Sequence, residues 1–186
     1  MRGNDAEIEP RKKWPSGVSR KGNIVALNAG RAVAFADDPG WSFELGELAR
    51  SRPGEIPQAM LDGAVATLKR WSKVWNTRPT SVVALPATEM RSNVHLAEHI
   101  AHIGKLPLVD MFSWVGSAPP DDAASTPVVA HLEKAIQIKP DFELPRGPIL
   151  LVSTEVRTRW TATVAGALLR ENGASEVLLL ALHQRP

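Results

Sequence analysis

The sequence predicts an α/β domain with a doubly wound, mostly parallel sheet, and three observations carry that expectation. From residue 56 onward, helical and strand-like patterns alternate four times. The strand-like pieces are short, continuous apolar runs, such as 82–85 and 177–182, as expected of strands covered on both faces. Glycine and proline punctuate the joins, at Pro53-Gly54, Pro86, Gly104, Pro140, Gly147-Pro148 and Gly173.

The elements follow in order. Residues 1–22 are polar, contain Pro10, Pro15, Gly17 and Gly22, and read as a basic linker or arm. Residues 23–55 read as an N-terminal extension, packed on the main domain or partly loose. Within it, 24–35 suits a strand or hairpin, 41–49 has short helical spacing, and Ser51-Arg52-Pro53-Gly54 is a breaker. The main domain is then 56–186. Met60, Leu61, Val65, Leu68, Trp71 and Trp75 recur near the helical period and predict a helix over 57–75. A strand over 81–85 stops at Pro86. A helix over 92–103 follows, with Gly104 as its C-terminal cap, then a second strand over 106–112. Residues 116–126 read as a loop and 131–138 as a helix broken by Lys139-Pro140. A buried strand over 149–152, a helix over 161–171 and a final strand over 176–182 complete the chain. The expected core includes Val82, Val83, Leu85, Ile100, Leu108, Val109, Ile149, Leu150, Val152, Val164, Leu168, Val177 and Leu179.

Composition narrows the function classes. No apolar run approaches the ~20 residues of a membrane span, so no membrane partner is expected. Cysteine is absent, which removes disulfide and thiolate chemistry and makes a cytoplasmic setting the default expectation. The net charge of +2 is too small to imply a nucleic-acid partner by itself. The basic residues are concentrated in the arm, where Arg11, Lys12, Lys13, Arg20 and Lys21 stand with Trp14. Those cations are candidates for DNA phosphate contacts and Trp14 for stacking on a base; the alternative is a solvated tail with Trp14 packed back on the domain. A chain beginning at Asn23 is expected to keep its fold, because the arm holds few apolar residues.

Two sets of motifs carry a family resemblance. Gly147-Pro148 with an apolar strand, Ser153-Thr154-Glu155-Val156-Arg157-Thr158-Arg159-Trp160-Thr161, a helix and Gly173-Ala174 resembles the signature of type I phosphoribosyltransferases. Val82-Val83-Ala84-Leu85-Pro86 and the helix after it fit the same family's first core strand and helix. A wider resemblance is to the C-terminal region of actinobacterial RecQ-like DNA helicases. It runs through Arg11-Lys12-Lys13-Trp14-Pro15-Ser16-Gly17, Gly30-Arg31-Ala32, Gly40-Trp41, Arg78-Pro79, Leu96-Ala97-Glu98-His99 and Trp160-Thr161-Ala162-Thr163. That resemblance implies helicase motor domains as partners and a part in DNA repair or recombination. The chain itself has no Gly-x4-Gly-Lys-Ser/Thr phosphate loop, so it is not a motor.

The departures from the phosphoribosyltransferase pattern imply lost catalysis. The family's acidic pair, which holds ribose hydroxyls, corresponds to Ser153 and Thr154, and hydroxyls do not replace ionised carboxylates. The loop glycine corresponds to Arg159, whose Cβ is expected to resist positive φ. Glu155 is the alternative, displaced acid. Arg157, Thr158, Arg159 and Thr161, at the start of a helix, form a candidate site for a phosphate or sulfate ion, with Arg91 on the loop after the first strand. No catalytic residue and no cofactor is expected. His95, His99 and His102 share a helix face but lack a completing ligand cluster, so no metal is expected. The reading is a non-catalytic accessory domain of a RecQ-like helicase; the alternative is an enzyme or sensor that binds a phosphorylated nucleotide or sugar.

Overall fold

A computed structural model describes residues 5–186; residues 1–4 of the expected arm lie outside the described residues. The elements are β1 (Ala6–Ile8), β2 (Gly30–Phe35), α1 (Ser42–Arg50), α2 (Gln58–Trp71), β3 (Ser81–Ala84), α3 (Arg91–Gly104), β4 (Phe112–Trp114), α4 (Ser125–Ala135), β5 (Ile136–Ile138), β6 (Gly147–Val156), α5 (Trp160–Glu171) and β7 (Ala174–Gln184). The main sheet runs in the order β1-β2-β7-β6-β3. β2, β7, β6 and β3 are parallel, and β1 pairs antiparallel at one edge. No described helix is long and apolar enough to cross a membrane.

The continuous apolar runs follow from burial on both faces. Along β6, Ile149 and Leu151 enter one core with α4 and α5, while Leu150 and Val152 enter the other with α2 and α3. In β7, Val177, Leu179 and Ala181 alternate in the same way with Leu178, Leu180 and Leu182. Gly63 of α2 is required by close approach, since a Cβ there would stand 2.6 Å from the Trp41 ring.

Several boundaries differ from the sequence expectations for identifiable reasons. Residues 106–112 do not form a full strand. They make one parallel bridge, Leu108 to Val82, and Pro107 offers only its carbonyl, to the Val82 amide. Leu108 is accordingly 38% exposed rather than core, and Leu168 is only partly buried. The remaining eleven expected core residues are buried. The helix expected over 131–138 begins earlier, at Ser125, where Pro127 is tolerated in the first turn. It yields to β5 at Ile136, which pairs antiparallel with β4. The helix expected over 57–75 ends at Trp71 and closes with a 3₁₀ turn over Ser72–Val74. At the end of α3 the left-handed residue is Lys105 (φ 52°), one position beyond the expected Gly104. Bonds from Leu106 N to Ala101 O and Lys105 N to His102 O complete a Schellman closure.

Residues 5–22 are built into the domain. β1 extends the sheet, Ile8 is 2% exposed, and Ala6 and Val18 are buried. The extension supplies β2, which pairs with β7 rather than closing a hairpin within 24–35.

Candidate functional site

A cleft of about 270 Å³ opens beyond the carboxyl ends of β3 and β6, where parallel sheets place ligands. Three segments contribute walls: Pro86 to Glu89 after β3, Trp114 at the end of β4 with Pro119 to Asp121 beyond it, and Ser153 to Arg159 at the end of β6 and just after it.

The end of β6 is internally satisfied. Ser153 is buried; its hydroxyl donates to the Glu155 carbonyl at 2.7 Å and accepts the Glu155 amide at 3.3 Å. The Thr154 amide and hydroxyl both donate to Asn93 Oδ1, at 2.8 and 3.0 Å. Asn93, buried in the first turn of α3, donates through Nδ2 to the Leu85 carbonyl at 2.8 Å. It therefore ties the end of β3 to the end of β6. Glu155 turns toward β7, with His183 Nε2 at 3.2 Å and Arg185 at 3.5 Å. The hydrogen bond from His183 is the largest influence lowering the Glu155 carboxyl below its ordinary range, opposed by burial and aided by the charges of His183 and Arg185.

Four of the five candidate anion residues, Arg157, Thr158, Arg159 and Thr161, line the cleft; Arg91 does not. Arg157 pairs with Asp121 at 2.5 Å across the cleft. Arg159 corrects the expectation about its backbone: it adopts φ 69° as the N-cap of α5. Its carbonyl accepts the Thr163 amide and hydroxyl at 2.9 and 2.7 Å, and its side chain donates to the Glu9 carbonyl at 2.8 Å. The left-handed turn before the helix is thus kept without glycine. Thr158 Oγ1 accepts the Trp160 amide at 3.4 Å. Arg91 is bound by Glu89 through its guanidinium and amide, which hold the Glu89 carboxyl down at about 2.

The arm residues divide into two groups. Arg11 donates twice to the Thr158 carbonyl, at 3.0 and 2.7 Å, and lies 4.5 Å over the Trp160 ring. Trp14 stacks on Trp160 with centroids 6.1 Å apart, and Arg20 covers Trp14 while pairing with Glu171 and Glu133. Lys12, Lys13 and Lys21 are exposed on a tight excursion closed by the Lys13–Asn23 bridge.

His95 is used structurally, through Nδ1 to the Gly54 carbonyl at 2.6 Å. Among the described residues no group of three or more His, Asp or Glu is placed to hold a metal. Sequence reasoning missed Asn93, Asp121, His183 and Arg185. The available signal was position: Asn93 at a helix start, His183 and Arg185 just beyond an apolar run, and Asp121 in the loop over 116–126. No protein-family model and no curated protein sequence matches this chain.

Proposed function

We propose that this chain is a non-catalytic phosphoribosyltransferase-like domain, of the kind joined to RecQ-like helicase motors, that works by binding in DNA repair or recombination. The observation that carries the reading is the end of β6. Both hydroxyls at the positions of the family's acidic pair are spent on Glu155 and Asn93, and the loop's one carboxylate is held by His183 and Arg185. Nothing there is left to grip ribose hydroxyls as an ionised acceptor. DNA contact falls to Lys12, Lys13 and Lys21, the exposed arm cations that make no ion pair among the described residues.

The test has two arms. Pyrophosphate release from phosphoribosyl pyrophosphate should be absent with every common nucleobase; turnover abolished by Glu155→Gln would overturn the non-catalytic reading. Single-stranded DNA should bind weakly and without sequence preference. Replacing Lys12, Lys13 and Lys21 with alanine should reduce the log–log salt slope by about 2, at roughly 0.7 per phosphate contact. An unchanged slope moves the contact elsewhere, and no binding by either protein leaves a protein partner as the role.

A second reading is supported by the cleft's lining, where Arg157, Thr158 and Thr161 stand together at the start of α5. On that reading the cleft senses a phosphorylated sugar or nucleotide. Calorimetric binding of phosphoribosyl pyrophosphate without turnover, lost in Thr161→Val, is its expected result.

A further inference from the structure

At the opposite end of the sheet, between the C-terminal ends of α2 and α3, lies a second cleft of about 260 Å³. Its walls are apolar, formed by Val65, Leu68, Trp75, Ile100, Ile103 and Leu106, and Ile103 is 48% exposed at its mouth. The cleft has room for about one bulky side chain. Trp75 is the cleft's one aromatic wall, and its ring packs against Trp71 with centroids 5.4 Å apart in a T-shaped arrangement.

The rim is basic. Lys69 and Arg78 line the cleft, and Lys73 and Lys105 directly neighbour lining residues in sequence. All four are exposed and none makes an ion pair among the described residues, whereas Arg20, Arg31, Arg70, Arg91, Lys139, Arg157 and Arg185 do. No acidic residue lines the cleft. An apolar hole lined by two unpaired cations, with two more adjacent in sequence, is complementary to one bulky apolar anchor flanked by carboxylates.

We infer that this cleft docks an acidic peptide segment of a partner protein, which inserts one aromatic or large aliphatic side chain between α2 and α3. The cations come from α2 (Lys69), the turn after it (Lys73), the loop before β3 (Arg78) and the residue after α3 (Lys105), so a segment carrying several carboxylates answers more of them than a single charged group would. A nucleic-acid strand fits less well: it would answer the rim, but walls that are aliphatic apart from Trp75 offer successive bases little to stack on. The inference concerns the amino end of the sheet and stands whatever occupies the cleft at the carboxyl end.

The test uses the full chain and a dye-labelled, end-blocked 11-residue peptide of glycine and aspartate with one central phenylalanine, followed by fluorescence anisotropy. The expected result is saturable binding that weakens as salt rises. Affinity should fall about tenfold when the phenylalanine is replaced by alanine. It should fall comparably in the Lys69→Glu, Arg78→Glu double variant and in Ile103→Asp, all exposed positions where circular dichroism should be unchanged. Absence of binding at low salt would overturn the proposal. So would binding indifferent to the phenylalanine or to these variants. Full displacement by an 11-nucleotide thymidine strand that itself depends on Lys69 and Arg78 would make the surface a nucleic-acid site instead.

Discussion

Arg159 holds a backbone conformation that costs a residue with a Cβ about 1–2 kcal/mol. The bond to the Glu9 carbonyl and the double capping of its own carbonyl by Thr163 offset that strain. Arg159→Gly removes the strain and the Glu9 bond together, while Arg159→Ala removes only the bond. Urea denaturation should therefore find the alanine variant less stable than the glycine variant by about 1 kcal/mol. Equal stabilities would show that the turn stores no strain. Asn93 is the other residue whose weight exceeds its size. Asn93→Leu orphans the Leu85 carbonyl and the Thr154 amide, and should cost about 2 kcal/mol or more. The hydroxyls of Ser153 and Thr154, at the end of a continuous apolar run, were legible in the sequence. Asn93 was not, because its partners come from two strand ends that only the folded sheet brings together.

At the scale of elements, the arm reverses the expectation that it is dispensable. Its cations and Trp14 suggested a solvent-facing strip, but Arg11, Trp14 and Arg20 interleave with Thr158, Trp160 and Glu171 of α5 and its approach. Ile8 alone buries a side chain worth about 1.5–3 kcal/mol. A chain beginning at Asn23 should lose at least about 3 kcal/mol and melt roughly 10 °C lower. A melting temperature equal to that of the full chain would show the arm to be an ornament on a self-sufficient domain. The inner strands β3, β6 and β7 were legible because burial on both faces makes apolar runs. β1 was not, because three residues of an edge strand carry no period long enough to read. Pro107 hid the ambiguity of 106–112: a carbonyl can join a ladder where the amide is missing, so one bridge forms without a strand.

For the whole molecule, acid stability follows chiefly from two carboxylates paired across the fold, since Glu89 is exposed and its partner Arg91 is only two residues away. Glu155, held chiefly by the His183 hydrogen bond, and Glu171, held chiefly by the Arg20 hydrogen bond, both titrate below their ordinary value of 4.5 in the folded state. The unfolded chain therefore binds protons first as pH falls. The stability these groups contribute is complete above that ordinary value and is lost as pH drops through the lowered folded values. Melting temperature should decline below about pH 4.5, and Glu155→Gln should lower it at neutral pH while making the acid decline shallower. A decline no shallower in the variant would mean that other groups govern the acid limb. Charge was only partly legible at this scale: a net of +2 conceals the cluster of Lys69, Lys73, Arg78 and Lys105, because a tally along the chain does not see which helix ends meet.

The register of β2 on β7, with Arg31 opposite Leu180, has a consequence for biogenesis. At ordinary translation speeds the ribosome delivers β7 roughly 10–30 s after β2. Throughout that interval the hairpin-like pair β1 and β2 has no inner neighbour, and its apolar residues Val33 and Ala34 wait for Leu180 and Leu182. The sheet closes only when the last strand slides between the first two and β6, so a nascent chain stalled before residue 174 presents an open strand edge to whatever holds it.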